Sequence, residues 1–231
     1  MNYRLSRTFV LCIAAAGLVA CSTDEDISSN CDLGYKSASA GEHKQAISLL
    51  SACLNSGKAS TAETRNAHEA RAWAQSNLGD AMSAVADQES AFRLSRPDTH
   101  REFINYASYL RAAGRLEDSL AALKSAEVIE SASGPVGMMT LYNLGWTLQE
   151  LGKHEEACAA FTRGISAQPD YAFAYYRRGI SLEKAGRKDA AYSDFEKVSR
   201  LIQPSQVTGL SAKYLPQVRE KLHGYGLVLP Q

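Results

Sequence analysis

Leu141-Tyr-Asn-Leu-Gly-Trp146 opens a pattern that continues through Leu148, Gly152, Ala157 and Phe161 to Pro169. Thirty-four residues later Tyr175-Tyr-Arg-Arg-Gly179 opens it again, continuing through Leu182, Gly186, Ala191, Phe195 and Val198. A fixed period of this length marks a chain built from stacked supersecondary units. Within each unit the apolar residues recur at helical rather than alternating spacing. Gly152 and Gly186 fall between two helical runs, where a left-handed residue ends a helix. Pro169 closes the next run, because proline lacks the N–H that a continuing helix needs. Each unit therefore reads as two antiparallel helices joined by a tight turn. Gly145 and Gly179 stand opposite Ala157 and Ala191 and allow the two backbones to approach. Phe161 and Phe195 are expected to fill the layer toward the following unit. No strand pattern competes, so the fold class is all-α.

The pattern extends upstream in weaker form. One unit starts near His100 and carries Phe103, Ala107, Leu110, Gly114, Leu123 and Ala126. Another starts near Arg65, with Ala72, Gly79, Ala84 and Ala91, and a further one near Ile27, with Gly34, Gly41, Ala46, Leu50 and Cys53. Together with 138–171 and 172–205 they make about five repeats over residues 27–205. Ser133-Gly134-Pro135 is a turn-forming insertion between two of them. The order of large residue, Leu-Gly, Ala, Phe and Pro resembles the tetratricopeptide repeat (TPR). The resemblance implies a TPR-like helical-hairpin solenoid, since no single hairpin buries its apolar face alone. Residues 206–231 read as a C-terminal capping helix and tail. Leu210, Tyr214, Val218 and Leu222 fall on one helical stripe, Pro216 starts or kinks a helix, and Tyr225-Gly-Leu-Val-Leu229 folds back onto the last helix.

At the other end, Arg4 and Arg7 precede an apolar run from Phe9 to Ala20. Basic start, short hydrophobic run and small-residue boundary describe a secretory signal, here residues 1–20. Twelve residues are too few to span the hydrocarbon core as a helix. Leu18-Val-Ala-Cys21 resembles a bacterial lipobox, which implies lipidation of Cys21 and a mature chain beginning there. The alternative is cleavage elsewhere and a soluble secreted protein. In the lipoprotein family Ser22, in place of an Asp, implies the outer membrane, so the expected location is the periplasm-facing side of the bacterial outer membrane. Residues 21–30 read as a lipidated polar tether. Loss of the signal takes two arginines and no acid from 25 basic and 25 acidic residues, leaving 211 residues with a net charge of −2. That balance argues against a nucleic-acid partner, which needs clustered Lys and Arg.

Catalytic patterns are missing from the sequence. His43, His68, His100, His154 and His223 are scattered, and no His-Glu-x-x-His, Cys-x-x-Cys, Gly-x-Ser-x-Gly or phosphate-loop motif occurs. The residues imply no cofactor and no metal, and the protein is read as a non-enzyme. Cys31 and Cys53 fall early in the first helix and late in the second helix of one hairpin, ends that lie side by side. A disulfide is one reading and two small buried thiols the other; an envelope location permits the bond. Cys158 reads as a small buried apolar residue.

In TPR proteins the first helices line a concave groove. The resemblance places Trp73, Arg101, Ile104, Arg111, Met139, Tyr142, Trp146, Gln149, Phe173, Tyr176, Ile180 and Glu183 there. Tyr142, Trp146, Phe173 and Tyr176 would form an aromatic wall, of the residue types that dominate binding hot spots; the other reading packs these rings against neighbouring units. Asn105, Asn143 and Arg177 occupy places used by a carboxylate-clamping TPR subfamily, but Ile104 and Tyr142 stand where that clamp needs Lys. The expected function is an anchored adaptor that binds a protein or peptide partner, resembling TPR lipoproteins that pilot secretin or pilus machinery or that bring hydrolases to substrate. The alternative is an envelope enzyme or a glycan- or lipid-binding protein on the same scaffold.

Overall fold

The computed structural model describes residues 24–202 and 210–227. Eleven helices and no strand occur among them. They are α1 (Asp24–Ser39), α2 (His43–Asn55), α3 (Thr61–Asn77), α4 (Ala81–Leu94), α5 (His100–Ala112), α6 (Leu116–Ser131), α7 (Met138–Glu150), α8 (His154–Ala167), α9 (Ala172–Lys184), α10 (Lys188–Leu201) and α11 (Leu210–Gly224). Consecutive helices pair as five antiparallel hairpins, and each hairpin packs on the next. The fold is an all-α, TPR-like solenoid.

Local chemistry sets the hairpins. Gly41, Gly79, Gly114, Gly152 and Gly186 each turn the chain at φ between 74° and 86°, a region that costs a side-chain-bearing residue energy. Behind the last three, Arg115 N donates to Leu110 O at 2.8 Å, Lys153 N to Leu148 O at 2.9 Å and Arg187 N to Leu182 O at 2.8 Å. These bonds satisfy carbonyls that the ending helix would otherwise leave bare. The second hairpin begins at Thr61, ahead of the Arg65 expected from the repeat. Ser60 and Glu63 cap it reciprocally: Glu63 N donates to Ser60 Oγ, and Ser60 N donates to Glu63 Oε2. Those bonds hold the Glu63 carboxyl below its usual range. Thr99 and Glu102 repeat the device at the start of α5.

Three buried clusters run along the array. The first centres on Leu50, Ala46 and the Cys31–Cys53 pair, the second on Leu110, Leu123 and Phe161, and the third on Phe195, Val198, Val218 and Leu222. Phe195 meets the segment that follows, its ring centre 5.0 Å from that of Tyr225, and both Phe161 and Phe195 also fill their own hairpins. Each ring lies across the glycine of its own hairpin: a Cβ on Gly145 would stand 2.7 Å from the Phe161 ring, and one on Gly179 2.7 Å from the Phe195 ring. Bare backbone is what makes room for a ring of that size. In the first hairpin Gly34 yields in the same way to Leu50.

At the C-terminal end, α11 packs on α10, and its Val218 and Leu222 are fully buried. Pro216 lies inside this helix. Leu227 N donates to Leu222 O, and the Tyr225 ring centre lies 5.0 Å from that of Phe195, so the chain turns back after α11. Residues 203–209 and 228–231 and the side chains of Leu210 and Tyr214 lie outside the described part. So do the signal 1–20, Cys21 and Ser22. Within the stretch 21–30 expected as a polar tether, residues from Asp24 onward belong to α1. No helix among the described residues is long and apolar enough to cross a membrane.

Candidate functional site: the concave face

First helices of successive hairpins pack on one another, α1 on α3, α5 on α7 and α7 on α9. That contact puts them on the inner side of the solenoid, where their outward residues line one trough.

The floor of its C-terminal half is a stack of three side chains from three hairpins. The Trp146 indole of α7 lies between two guanidinium groups. Arg111 of α5 places its Cζ 3.9 Å from the ring centre, and Arg177 of α9 places its Cζ 3.6 Å away. A cation over an indole face contributes on the order of 0.5–2 kcal/mol. Trp146 Nε1 donates to Glu150 Oε1 at 2.6 Å, which fixes the ring plane. Arg177 donates to Gln149 Oε1 at 2.9 Å, and Gln149 Nε2 donates to Arg177 O and Ser181 Oγ, both at 3.0 Å. Arg111 donates to Asn143 Oδ1 at 3.3 Å, while Asn143 Nδ2 donates to Met139 O at 2.9 Å. Asn143 and Arg177 are thus engaged inside the protein and do not converge as a carboxylate clamp.

The aromatic wall needs correction. Tyr142 is 8% exposed and its ring meets Trp146, Phe161 and Tyr171 at centre distances of 5.8, 6.0 and 5.3 Å. Tyr176 and Gln149 are also buried, and Tyr176 leans on Phe195. These residues support the floor from beneath. Burial pushes the hydroxyls of Tyr171, up to about 12, and Tyr176 above their ordinary range. What the trough presents here is the half-buried Trp146, Phe173 and Ile180, the exposed Met139, and the exposed carboxylate of Glu150. Glu183, also half-buried, is claimed by the C-terminal segment: Lys221 Nζ lies 2.5 Å from it and the Tyr225 hydroxyl donates to it.

Toward the N-terminus the trough deepens into a hollow of about 440 Å³ bounded by α1, α3, α4 and α5. Trp73, 39% exposed, stands on its wall, with Arg101 beside it; Ile104 is instead half-buried against the central cluster. Arg65 pairs with both Glu102 and Glu69. Burial outweighs Arg65 at Glu69 and pushes that carboxyl above the usual range. Glu102 falls below it: burial opposes the shift, but hydrogen bonds from Thr99 and Arg65 prevail.

Cys31 and Cys53 are joined by a disulfide, with their Cα atoms 5.2 Å apart. Cys158 is a free, buried thiol whose pKa is raised chiefly by burial. His43 and His154 each begin a second helix, with Nδ1 buried and without a hydrogen bond. Among the described residues, no group of three or more His, Cys, Asp or Glu side chains is placed to hold a metal ion.

The sequence reading missed a paired staple away from the groove. Arg71 grips Asp87 with two nitrogens, at 2.7 Å each, and reaches Ser51 of the preceding hairpin at 2.8 Å. Arg178 does the same to Asp194, at 2.8 and 2.7 Å, and reaches Thr162 at 2.9 Å. Both Asp residues follow their Arg by sixteen positions, one turn-spanning step within a hairpin. That common spacing was the available signal. Asp194→Asn is expected to cost about 1.5–3 kcal/mol, the range for hydrogen bonds to charged groups. A loss of unfolding free energy below about 0.5 kcal/mol, from the urea midpoint at unchanged slope, would deny the staple its role.

The comparisons agree with this architecture. The tetratricopeptide repeat matches residues 140–171 and again residues 173–201. The chain thus carries TPR units in its fourth and fifth hairpins. Among solved structures it is similar to a MamA protein at 19% identity and TM-score 0.64, covering 90% of this chain and 100% of that one. It is also similar to MamA from Desulfovibrio magneticus RS-1, at 17% identity and TM-score 0.65 over 78% of this chain and 97% of that one. YrrB, described as a TPR protein with an unusual peptide-binding site, aligns at 17% identity and TM-score 0.62 over 82% and 93%. At these identities the likeness concerns the fold. No curated protein sequence matches the chain.

Proposed function

We propose that this protein is an outer-membrane lipoprotein whose solenoid binds a protein or peptide partner in its trough, as an adaptor and not as an enzyme. The observation that carries the groove reading is the Arg111–Trp146–Arg177 stack. It presents a flat indole edge, two guanidinium groups and the Glu150 carboxylate on a floor already fixed by internal hydrogen bonds. Preorganised Trp and Arg side chains lose little freedom when a partner docks, which is where binding energy concentrates. Met139, 52% exposed, adds an adaptable apolar contact beside them. YrrB's described peptide-binding site supports the reading by analogy of fold. Lipid on Cys21 would supply location; one acyl chain anchors only marginally, so the several chains of the lipoprotein family are needed.

The test is photo-crosslinking in intact cells from a probe at position 139. A discrete adduct is expected, lost in Trp146→Ala while the helical circular-dichroism signal stays. An adduct of undiminished yield in Trp146→Ala would end the groove assignment. Cys21→Ser is expected to move the chain from the membrane to the soluble fraction; unchanged fractionation would remove the anchor.

A further inference from the structure

Two carboxyl groups share one cation where the second hairpin meets the third. Arg65 and Glu69 stand one turn apart on α3, and Glu102 stands in the first turn of α5. One Arg65 nitrogen lies 3.2 Å from Glu69 Oε1, and the same nitrogen pairs with Glu102. The two carboxyls are also in hydrogen-bond contact with each other. Gln88 of α4, at the place that Leu50, Leu123, Phe161 and Phe195 fill in the other hairpins, hydrogen-bonds to Glu69. The side chains of Glu69 and Glu102 are 28% and 15% exposed. One guanidinium neutralises one carboxylate. With both acids ionised, the site holds a surplus negative charge that water screens only in part, and like charges sharing a site resist ionising together.

The two acids are not equivalent. Glu102 is committed as a carboxylate: its Oε2 accepts from Thr99 N at 2.9 Å, Thr99 Oγ1 at 2.7 Å and Asp98 N at 3.2 Å. Glu69 has only the shared arginine and a neutral amide to favour its charge, and burial and the Glu102 charge oppose it. The pair therefore titrates as a unit, through a state with one proton that sits on Glu69. The other ionisable side chains bordering the same hollow are Tyr35 of α1 and Arg101 and Tyr109 of α5. Burial raises both tyrosine hydroxyls, so neither competes for this proton. His68, on the same helix as Glu69, is turned to Asp87 of α4 at 2.8 Å.

We propose that Glu69 and Glu102 form an acid-operated latch between the second and third hairpins. Protonated, Glu69 donates to Glu102 and holds α3 against α5; ionised, the two carboxylates repel and the 440 Å³ hollow between the hairpins widens. The raised Glu69 carboxyl stabilises the joint fully below the ordinary glutamate range, and that contribution is lost as pH rises through its folded value. Glu102 is lowered and acts in the opposite sense: its contribution is present above the ordinary range and is lost as pH falls through its folded value. The joint is tightest between them, at about pH 4–5. The N-terminal half of the trough thus narrows in mild acid and opens toward neutrality. The latch lies apart from the Trp146 floor and rests on no partner bound there.

The test uses the full mature chain carrying Trp146→Phe, which leaves Trp73, on the wall of the hollow, as the one tryptophan. His43, whose ring centre lies 5.0 Å from that of Trp73, is replaced in the same background by Phe so that its own titration is silent. Emission followed from about pH 8 to about pH 4 is expected to show one transition above the ordinary glutamate range. Glu69→Gln keeps the shape and cannot ionise, so it should abolish the transition and hold the acid-state emission throughout. Its urea midpoint should exceed the parent's near pH 8 and match it near pH 4. His68→Asn should leave the transition in place. A flat parent profile, a transition that survives Glu69→Gln or vanishes in His68→Asn, or equal midpoints for Glu69→Gln and parent near pH 8 would each overturn the latch.

Discussion

Phe161→Ala should lower stability by about 3–5 kcal/mol, the range for truncating a fully buried aromatic ring. Phe161 is 0% exposed and lies over the bare backbone of Gly145, so no small shift of α7 can close the void without moving the helix itself. Its loss also reaches the trough. Tyr142 rests on Phe161, and Trp146 rests on Tyr142. The expected result is a lower urea midpoint together with a changed Trp146 emission in the folded state. Gly145→Ala attacks the same contact from the other side, since its Cβ would stand 2.7 Å from the ring. If Phe161→Ala cost less than about 1 kcal/mol, the ring-on-glycine account of the hairpin would be wrong.

Removing the disulfide is the second large change. The bond spans 22 residues, and in the chain-entropy model a loop of that size contributes about 3 kcal/mol. It acts where the described array is weakest. Within the described residues the α1–α2 hairpin has a packed neighbour only on its α3 side. Its largest buried side chain is Leu50, where the fourth and fifth hairpins have phenylalanine. Cys31→Ser with Cys53→Ser is expected to loosen this hairpin while the later ones stay folded, because each unit of a solenoid depends mainly on its neighbours. Hydrogen exchange would read it as faster amides in α1 and α2 with α7 to α10 unchanged. Uniform acceleration along the chain, or none anywhere, would contradict it.

The fold was legible because its determinants are local. Glycine at 114, 152 and 186 and proline after α8 each act within a few residues, and the period repeats the glycines. The start of the second hairpin was misplaced because a Ser60–Glu63 capping box, not the repeat period, decides where α3 begins. The groove was harder to read. Position within a repeat says which way a side chain leaves its helix, but not whether a neighbouring hairpin covers it. Tyr142 and Tyr176 point inward and are covered; Trp146 points inward and is held between arginines from two other hairpins. Gln88 went unnoticed because an isolated glutamine in a helix carries no pattern. Only alignment with Leu50, Leu123, Phe161 and Phe195 makes it anomalous.

The arginine–indole–arginine stack has a mechanical consequence. A superhelix flexes by small rotations between adjacent hairpins, and its pitch sets how wide the trough opens. Three side chains in face-to-face contact across two successive joints act as a brace at that point, since any rotation must part an arginine from the ring. The C-terminal half of the solenoid should therefore be its stiffest stretch, with bending concentrated at the joints among the first three hairpins.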